Sequence, residues 1–130
     1  MIKKLIFILG GVRSGKSRYA VELAKSFGKR IVFIATGVAS DGEMKKRINL
    51  HKKTRPATWH LIENAVDIDI AIANLKKNYD ALLIDCLGLF IFNLIEKKLD
   101  DKSIEKKLYK VLAQIKKCDF PVIVVSNEVG

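Results

Sequence analysis

The residues at positions 10–17, GGVRSGKS, follow the pattern G-x-x-x-x-G-K-[ST]. Such a loop winds tightly enough for successive N–H groups to point at phosphate oxygens, and the helix that follows adds partial positive charge. Lys16 would reach the β- and γ-phosphates of a nucleotide, and the Ser17 hydroxyl would serve Mg²⁺. A glycine-rich strand–helix turn with a chance Lys-Ser pair is the structural alternative. The predicted phosphate cradle comprises Gly10, Gly11, Val12, Arg13, Ser14, Gly15, Lys16 and Ser17.

A carboxylate that shares the Mg²⁺ with this loop should stand at the end of another buried strand. Asp85 does so, because it follows the apolar run at 81–84. Aspartate is also a good helix N-cap, and a helix is predicted at 87–96, so capping is the alternative role of Asp85. We assign Asp85 to the metal, directly or through water, and the two roles are compatible.

Residues 45–55 contain six basic residues and no acidic residue, and His51 lies among them. On a helix predicted at 40–53, His51 shares one face with Met44 and Ile48, so the simplest interpretation is an amphipathic helix with a solvated basic side. The second interpretation is a reactive imidazole. A cationic setting disfavours protonation of histidine and leaves a ring nitrogen able to attack phosphorus.

The cations that follow this histidine, Lys52, Lys53 and Arg55, could bind a triphosphate and stabilise charge on a leaving pyrophosphate. The other histidine, His60, lies in a predicted strand, and we interpret it as structural. Trp59 beside it could stack on a base, although a place in the core or in an interface is the simpler interpretation.

Apolar runs alternate with helical patterns along the whole chain, which predicts an α/β fold with a mostly parallel sheet. The first apolar run has no polar interruption, as expected of a strand that is buried on both faces. The predicted strands are 5–9, 31–35, 58–62, 81–84 and 121–125, and the predicted helices are 17–27, 40–53, 65–77, 87–96 and 102–117.

The length of 130 residues fits one domain, and we predict a single nucleotide-binding domain over 1–130. With 49% hydrophobic and 29% charged residues, the composition is that of a folded globular protein. The net charge of +10 favours an anionic partner, but it does not distinguish a nucleotide from nucleic acid, acidic protein or a membrane surface.

Cys86 and Cys118 have no metal-ligand spacing and lie in apolar surroundings, which indicates two packed thiols in a reducing cytosol. No stretch approaches the roughly 20 apolar residues of a membrane span, so we predict a cytoplasmic protein. The last predicted strand has no covering helix after it, and we expect a C-terminal portion of the domain to be missing.

Five segments occur in the order seen in the bifunctional adenosylcobinamide kinase / adenosylcobinamide-phosphate guanylyltransferases of cobalamin biosynthesis, and the chain resembles this family from residue 1 to 130. The phosphate loop alone is shared by many NTPases, whereas D-x-E-M…R-I-x-x-H…R-P-x-x-W…E with a terminal N-E-V-G is highly specific. The segments are GGVRSGKS (10–17), FIATG (33–37), DGEMKKRINLHKKTRPATWHLIE (41–63), LLIDCLGLFIFNLI (82–95) and VVSNEVG (124–130).

The resemblance implies a P-loop sheet of recombinase type, assembly as a trimer, and two reactions. Adenosylcobinamide is first phosphorylated by a nucleoside triphosphate, ATP or GTP, and GMP is then transferred from GTP to that phosphate through a guanylyl group carried on His51. Glu63 is a reasonable guanine reader, because a carboxylate accepts from N1–H and N2–H₂ together, although a solvated strand end is the alternative. Besides the cradle, the implied nucleotide contacts are Ala35, Thr36, Gly37, Lys52, Lys53, Thr54, Arg55, Glu63 and Asp85.

Two other functions fit part of the sequence. A small-molecule P-loop kinase without a covalent step would ignore His51 and show no preference for guanine. A nucleic-acid-binding module would use the positive charge, but the chain has no convincing recognition helix or base-stacking platform. We therefore predict small-molecule substrates and no nucleic-acid partner.

Overall fold

The computed structural model describes residues 4–10, 15–37, 56, 58–76 and 78–127. Five strands and four helices occur in these residues. The strands are β1 (Leu5–Gly10), β2 (Ile31–Ala35), β3 (His60–Glu63), β4 (Ala81–Asp85) and β5 (Val122–Asn127). The helices are α1 (Lys16–Phe27), α2 (Ile68–Ala73), α3 (Leu87–Glu96) and α4 (Asp101–Lys116).

The strands form one sheet in the order β1-β5-β4-β2-β3, and every neighbouring pair in it is parallel. All carboxyl ends therefore meet at one edge of the sheet, which we call the carboxyl edge. This arrangement confirms the predicted α/β fold. The edge is also where ligands bind in open parallel sheets, because the strand-to-helix loops gather there.

The pleat of the strands divides the core between the two faces of the sheet. Phe33 and Leu83 face α1, whose Ala20 and Ala24 are fully buried against them. Residues one position further along, such as Ile34 and Ile84, face the other helices instead. Helix layers on both faces explain why β2 and β4 are continuous apolar runs, since neither face of these strands meets water.

The expectation that the first strand is buried on both faces is wrong. Within the described residues β1 pairs only with β5, at the border of the sheet. Its Ile6 and Ile8 pack towards α1, whereas Leu5, Phe7 and Leu9 are 41%, 48% and 66% exposed on the other face. The helices of that face pack over the inner strands, so only the α1-facing side of β1 is covered.

Two elements are displaced from their predicted positions. The helix predicted at 65–77 is shorter, because Asn64 Oδ1 accepts the N–H groups of Val66 (3.3 Å) and Asp67 (2.7 Å) and holds them in a turn before α2. The strand predicted at 58–62 begins two residues later and ends at Glu63. The helix predicted at 40–53 lies outside the described residues.

Helix α2 is tied to α4 by a partly buried ion network. Lys107 Nζ lies 2.8 Å from Asp67 Oδ1 and 2.8 Å from Asp69 Oδ1, and Asp69 is only 7% exposed. Burial alone would lower the pKa of Lys107, but its hydrogen bonds to the two carboxylates, together with their charges, raise the pKa above its usual value. This network fixes a short helix that has few intrahelical bonds of its own.

The predictions for the two cysteines, for Trp59 and for His60 can be compared with the structure. Cys86 and Cys118 are unpaired and buried, and Trp59 is 7% exposed in the α1-side core, so both packing predictions are confirmed. His60 is exposed at the amino end of β3, where its ring stacks on Tyr79 with centroids 6.2 Å apart. This position is at the opposite end of β3 from the carboxyl edge.

Candidate nucleotide-binding site

The phosphate-loop motif ends at the N-terminus of α1. Gly15 is the N-cap residue and has φ of +79°, a conformation that favours glycine because a side chain would be strained there. Lys16 is the first helical residue and is only 8% exposed. The first N–H groups of a helix have no acceptor within the helix, so this end of α1 suits an anion.

The structure brings Ser17 and Asp85 together, although 68 positions separate them. Ser17 Oγ donates a hydrogen bond of 3.1 Å to Asp85 Oδ2. The alternative role of Asp85 as a helix N-cap is wrong, because the N-cap residue of α3 is Cys86. The Asp85 carboxylate therefore contacts the first turn of α1, and Asp85 is not the N-cap residue of α3.

The ends of three neighbouring strands form a row at the carboxyl edge. Ala35 lies between Asp85 on one side and Glu63 on the other, since it is the Cα partner of both. Partners in parallel strands share a face, so the two acidic side chains lie on the α1 side of the sheet. Two strand spacings, about 10 Å, separate their main chains. Glu63 is exposed and thus accessible to a ligand.

Thr36 is placed differently from what a nucleotide contact would suggest. Its side chain is fully buried on the face opposite α1, where Oγ1 donates to the Cys86 carbonyl and accepts from the Cys86 N–H, both at 2.8 Å. A contact between nucleotide and the 35–37 turn stays a prediction. The Thr36 hydroxyl itself is engaged with the main chain that follows Asp85.

Asn93 also binds the main chain at Thr36, and this contact was not predicted from the sequence. Its Nδ2 donates to the main-chain carbonyls of Thr36 (2.9 Å) and Ala65 (3.0 Å). The available signal was an amide in the otherwise apolar stretch LGLFIFNLI, since a polar residue within an apolar helix needs a hydrogen-bonding partner.

The predicted site residues divide into those that the structure describes and those outside the described residues. The structure describes Gly10, Gly15, Lys16, Ser17, Ala35, Thr36, Gly37, Glu63 and Asp85. The predictions for Gly11, Val12, Arg13, Ser14, His51, Lys52, Lys53, Thr54 and Arg55 lie outside the described residues.

The described donors limit the kinds of metal that the site could hold. Among these residues, no group of three or more His, Cys, Asp or Glu side chains could bind a metal ion by itself. The hydroxyl–carboxylate pair of Ser17 and Asp85 instead offers two hard oxygen atoms. Mg²⁺ is commonly bound in this way, with one or two protein oxygens and the rest of its shell from phosphates and water.

A parallel sheet with helices on both faces, a G-x-x-x-x-G-K-S loop entering α1 and a carboxylate at the end of a nearby strand define a P-loop nucleotide-binding enzyme. Within that class, the family described as cobinamide kinase / cobinamide phosphate guanyltransferase matches residues 6–130. The chain belongs to this family, so it is a kinase and guanyltransferase of cobalamin biosynthesis that uses nucleotide substrates.

Curated relatives agree with this assignment. The chain is 37% identical over 123 residues to the bifunctional adenosylcobalamin biosynthesis protein CobP of Pseudomonas aeruginosa, covering 95% of the chain and 70% of that relative. It is 31% identical to the bifunctional adenosylcobalamin biosynthesis protein CobU of Salmonella typhimurium and equally to that of Escherichia coli. Each of those matches covers 97% of the chain and 76% of the relative.

Across the ranges described above, no helix combines the length and apolar character that crossing a bilayer requires.

Proposed function

We propose that the chain phosphorylates adenosylcobinamide with a nucleoside triphosphate and then transfers GMP from GTP to adenosylcobinamide phosphate. The observation that carries this proposal is the hydrogen bond between Ser17 and Asp85 beside the buried Lys16, in a chain of this family. It places a hydroxyl, a carboxylate and a cation at one helix N-terminus. Phosphoryl and nucleotidyl transfer both need these groups.

In the kinase step, the residues of the chain would hold the triphosphate and balance its charge. The N–H groups at the start of α1 and the Lys16 ammonium stabilise the negative charge that moves towards the leaving diphosphate. Ser17 and Asp85 would hold Mg²⁺, which neutralises phosphate charge when bound. The substrate hydroxyl oxygen forms the new O–P bond, the bond to the leaving diphosphate breaks, and the hydroxyl proton passes to solvent or a nearby base.

In the guanylyl step, we assign the nucleophile to His51. A ring nitrogen forms an N–P bond to the α-phosphate of GTP as the bond to pyrophosphate breaks. A phosphate oxygen of adenosylcobinamide phosphate then displaces the histidine, so the imidazole is regenerated. The resemblance around 41–63 supports this assignment, because His51 stands at the histidine of the family's motif.

The two histidines provide a matched test of the covalent step. Wild type, His51→Ala and His60→Ala are incubated with α-³²P-GTP and Mg²⁺, and the protein-bound label is measured after acid and after base. We expect an acid-labile, base-stable label in wild type and in His60→Ala, and none in His51→Ala. Equal labelling of wild type and His51→Ala contradicts the assignment and favours a P-loop kinase without a covalent intermediate.

Guanine selection is proposed for Glu63, which is exposed at the end of β3 on the α1 face. Glu63→Gln replaces one acceptor oxygen with a donor, so it should lose preference for GTP over ATP while keeping ATP-dependent phosphorylation. Competition of GTP against ATP in a nucleotide-binding assay measures this preference. An unchanged preference would mean that Glu63 is a solvated strand end.

Assembly and location follow the same family argument. We propose that the chain forms a trimer, as the resemblance implies, which light scattering coupled to size-exclusion chromatography tests directly; a monomer at working concentration contradicts it. A cytoplasmic location is supported by the use of nucleoside triphosphates and by two buried cysteines that remain unpaired. Residues 1–130 are proposed to act as one nucleotide-binding domain, since the described elements share one sheet.

A further inference from the structure

A buried polar cluster lies behind the carboxyl edge, on the face of the sheet opposite α1. It consists of the Thr36 hydroxyl, the Asn93 amide and the main chain at Cys86, and we call it the edge clamp. Thr36 is fully buried and Cys86 is 5% exposed. No buried side-chain polar atom among the described residues lacks a hydrogen-bond partner, and the buried Thr36 hydroxyl both donates and accepts.

The edge clamp connects the ends of three strands. Thr36 follows β2, and it holds the main chain after β4 by three hydrogen bonds, two through its hydroxyl and one from its N–H to the Asp85 carbonyl (3.0 Å). Asn93 of α3 then joins Thr36 to Ala65, which follows β3. The ends of β2, β3 and β4 are thus joined to each other by hydrogen bonds.

The position of the clamp determines what it controls. Asp85 and Cys86 are consecutive, and one peptide group joins them. The Thr36 hydroxyl holds the N–H and the carbonyl of Cys86, whereas the Asp85 carboxylate reaches Ser17 at the start of α1. A change in the main chain at Cys86 would therefore move the Asp85 carboxylate, because only a few bonds separate the two groups.

We propose that Thr36 and Asn93 are positioning residues, which act through the main chain at Asp85 to aim its carboxylate at the Ser17 hydroxyl and the nucleotide-bound Mg²⁺. This proposal rests on the proposed function of Asp85. Neither side chain is expected to touch the substrate. Residues that orient a metal ligand from behind commonly change metal affinity by about 10–100-fold when they are replaced.

The test measures how much Mg²⁺ strengthens nucleotide binding. The dissociation constant of a fluorescent GTP analogue is determined in excess Mg²⁺ and in EDTA, and the ratio of the two constants is the Mg²⁺ increment. We expect Asn93→Ala to reduce the increment by roughly tenfold or more. Asn74→Ala, which removes an exposed amide at the end of α2, is the matched control and should keep the full increment.

Thr36 provides a second pair of variants with a conservative rescue. Thr36→Val keeps the shape of the side chain but removes the hydroxyl, so its increment should fall as in Asn93→Ala. Thr36→Ser retains the hydroxyl and should recover most of the increment. Because the clamp acts through Asp85, Asn93→Ala combined with Asp85→Asn should lose no more than Asp85→Asn alone.

Thermal unfolding of each variant separates positioning from stability. A variant that melts earlier but keeps the wild-type increment while folded overturns the proposal, since the clamp would then be structural only. If Asp85→Asn itself keeps the full increment, the metal role of Asp85 fails and the clamp proposal fails with it. If Asp85→Asn loses the increment and both clamp variants keep it, the clamp proposal alone is overturned.

Discussion

The hydrogen bond between Ser17 and Asp85 makes Asp85→Asn an informative perturbation of the site. Asparagine keeps the shape of the side chain and one oxygen that can accept from Ser17 Oγ, but it removes the negative charge. The bond is 3.1 Å long and partly buried, which places it at the weak end of hydrogen bonds to charged groups. We expect the free energy of unfolding of the nucleotide-free protein to fall by about 1 kcal/mol or less.

Nucleotide binding should change in opposite directions with and without Mg²⁺. In EDTA the carboxylate repels the triphosphate, by roughly 1–3 kcal/mol for unit charges about 6 Å apart at dielectric constants between water and a protein surface. Screening by salt reduces this repulsion, so Asp85→Asn should bind GTP about 2–10-fold more tightly in EDTA. In Mg²⁺ the variant should bind about 10–100-fold more weakly, because a charged metal-binding oxygen is lost.

Fluorescence anisotropy of a labelled GTP analogue, titrated at constant ionic strength, measures both changes. Asp100→Asn is the matched control, since it makes the same charge change at the N-cap of α4, where Asp100 accepts the Ser103 N–H at 2.8 Å and asparagine caps equally well. Weaker binding of Asp85→Asn in both conditions would refute the repulsion argument. An unchanged affinity in Mg²⁺ would refute the assignment of Asp85 to the metal.

Three further predictions concern stability and reactivity. Gly28→Ala should cost about 2–3 kcal/mol in chemical denaturation, because Gly28 has φ of +149° and a Cβ there would collide with the side chain of Asp80. Lys107→Met should destabilise by about 1–3 kcal/mol while an exposed control, Lys106→Met, changes little. The pKa of Lys107 is raised, so its contribution is complete below its ordinary pKa of 10.5 and is lost only as pH rises through the higher folded value; loss near neutral pH contradicts this. Burial and the nearby Asp119 charge raise the pKa of Cys118, so its thiol should react with Ellman's reagent at pH 8 roughly tenfold or more slowly in the native than in the denatured protein.

The sequence predicted those parts of the fold that depend on local pattern. The strand at 31–35 and the helix at 87–96 have the predicted bounds, because an unbroken apolar run and an apolar helical stretch leave little choice of structure. Hydrogen bonds from side chains to the backbone, which can shorten a helix, were not predicted. Asn64 shortened α2 by binding two N–H groups, and a residue pattern alone does not show which of several turns such an amide will adopt.

The order of the strands in the sheet could not be predicted from the sequence. The apolar run at 5–9 has the same pattern as the buried runs, yet β1 lies at the border of the described sheet, and pattern does not encode position within a sheet. The pairing of Ser17 with Asp85 followed from the motif, since both ends of the interaction have known roles. The contacts of Asn93 join residues 57 and 28 positions away, and they could not be foreseen without the strand order.

At the carboxyl edge, the two faces of the sheet therefore carry different groups. The α1 face presents the groups that would meet the nucleotide: the helix N-terminus, Ser17, Asp85 and the exposed Glu63. The opposite face contains the buried hydrogen bonds that fix the same strand ends. The α3 helix tolerates one amide in an otherwise apolar stretch because Asn93 donates to the carbonyls of Thr36 and Ala65, which compensates its desolvation. If the edge clamp positions Asp85 as proposed, a substitution on the α3 face should alter nucleotide binding without touching the nucleotide, whereas one on the α1 face should alter it by direct contact, and the dependence on Mg²⁺ distinguishes the two.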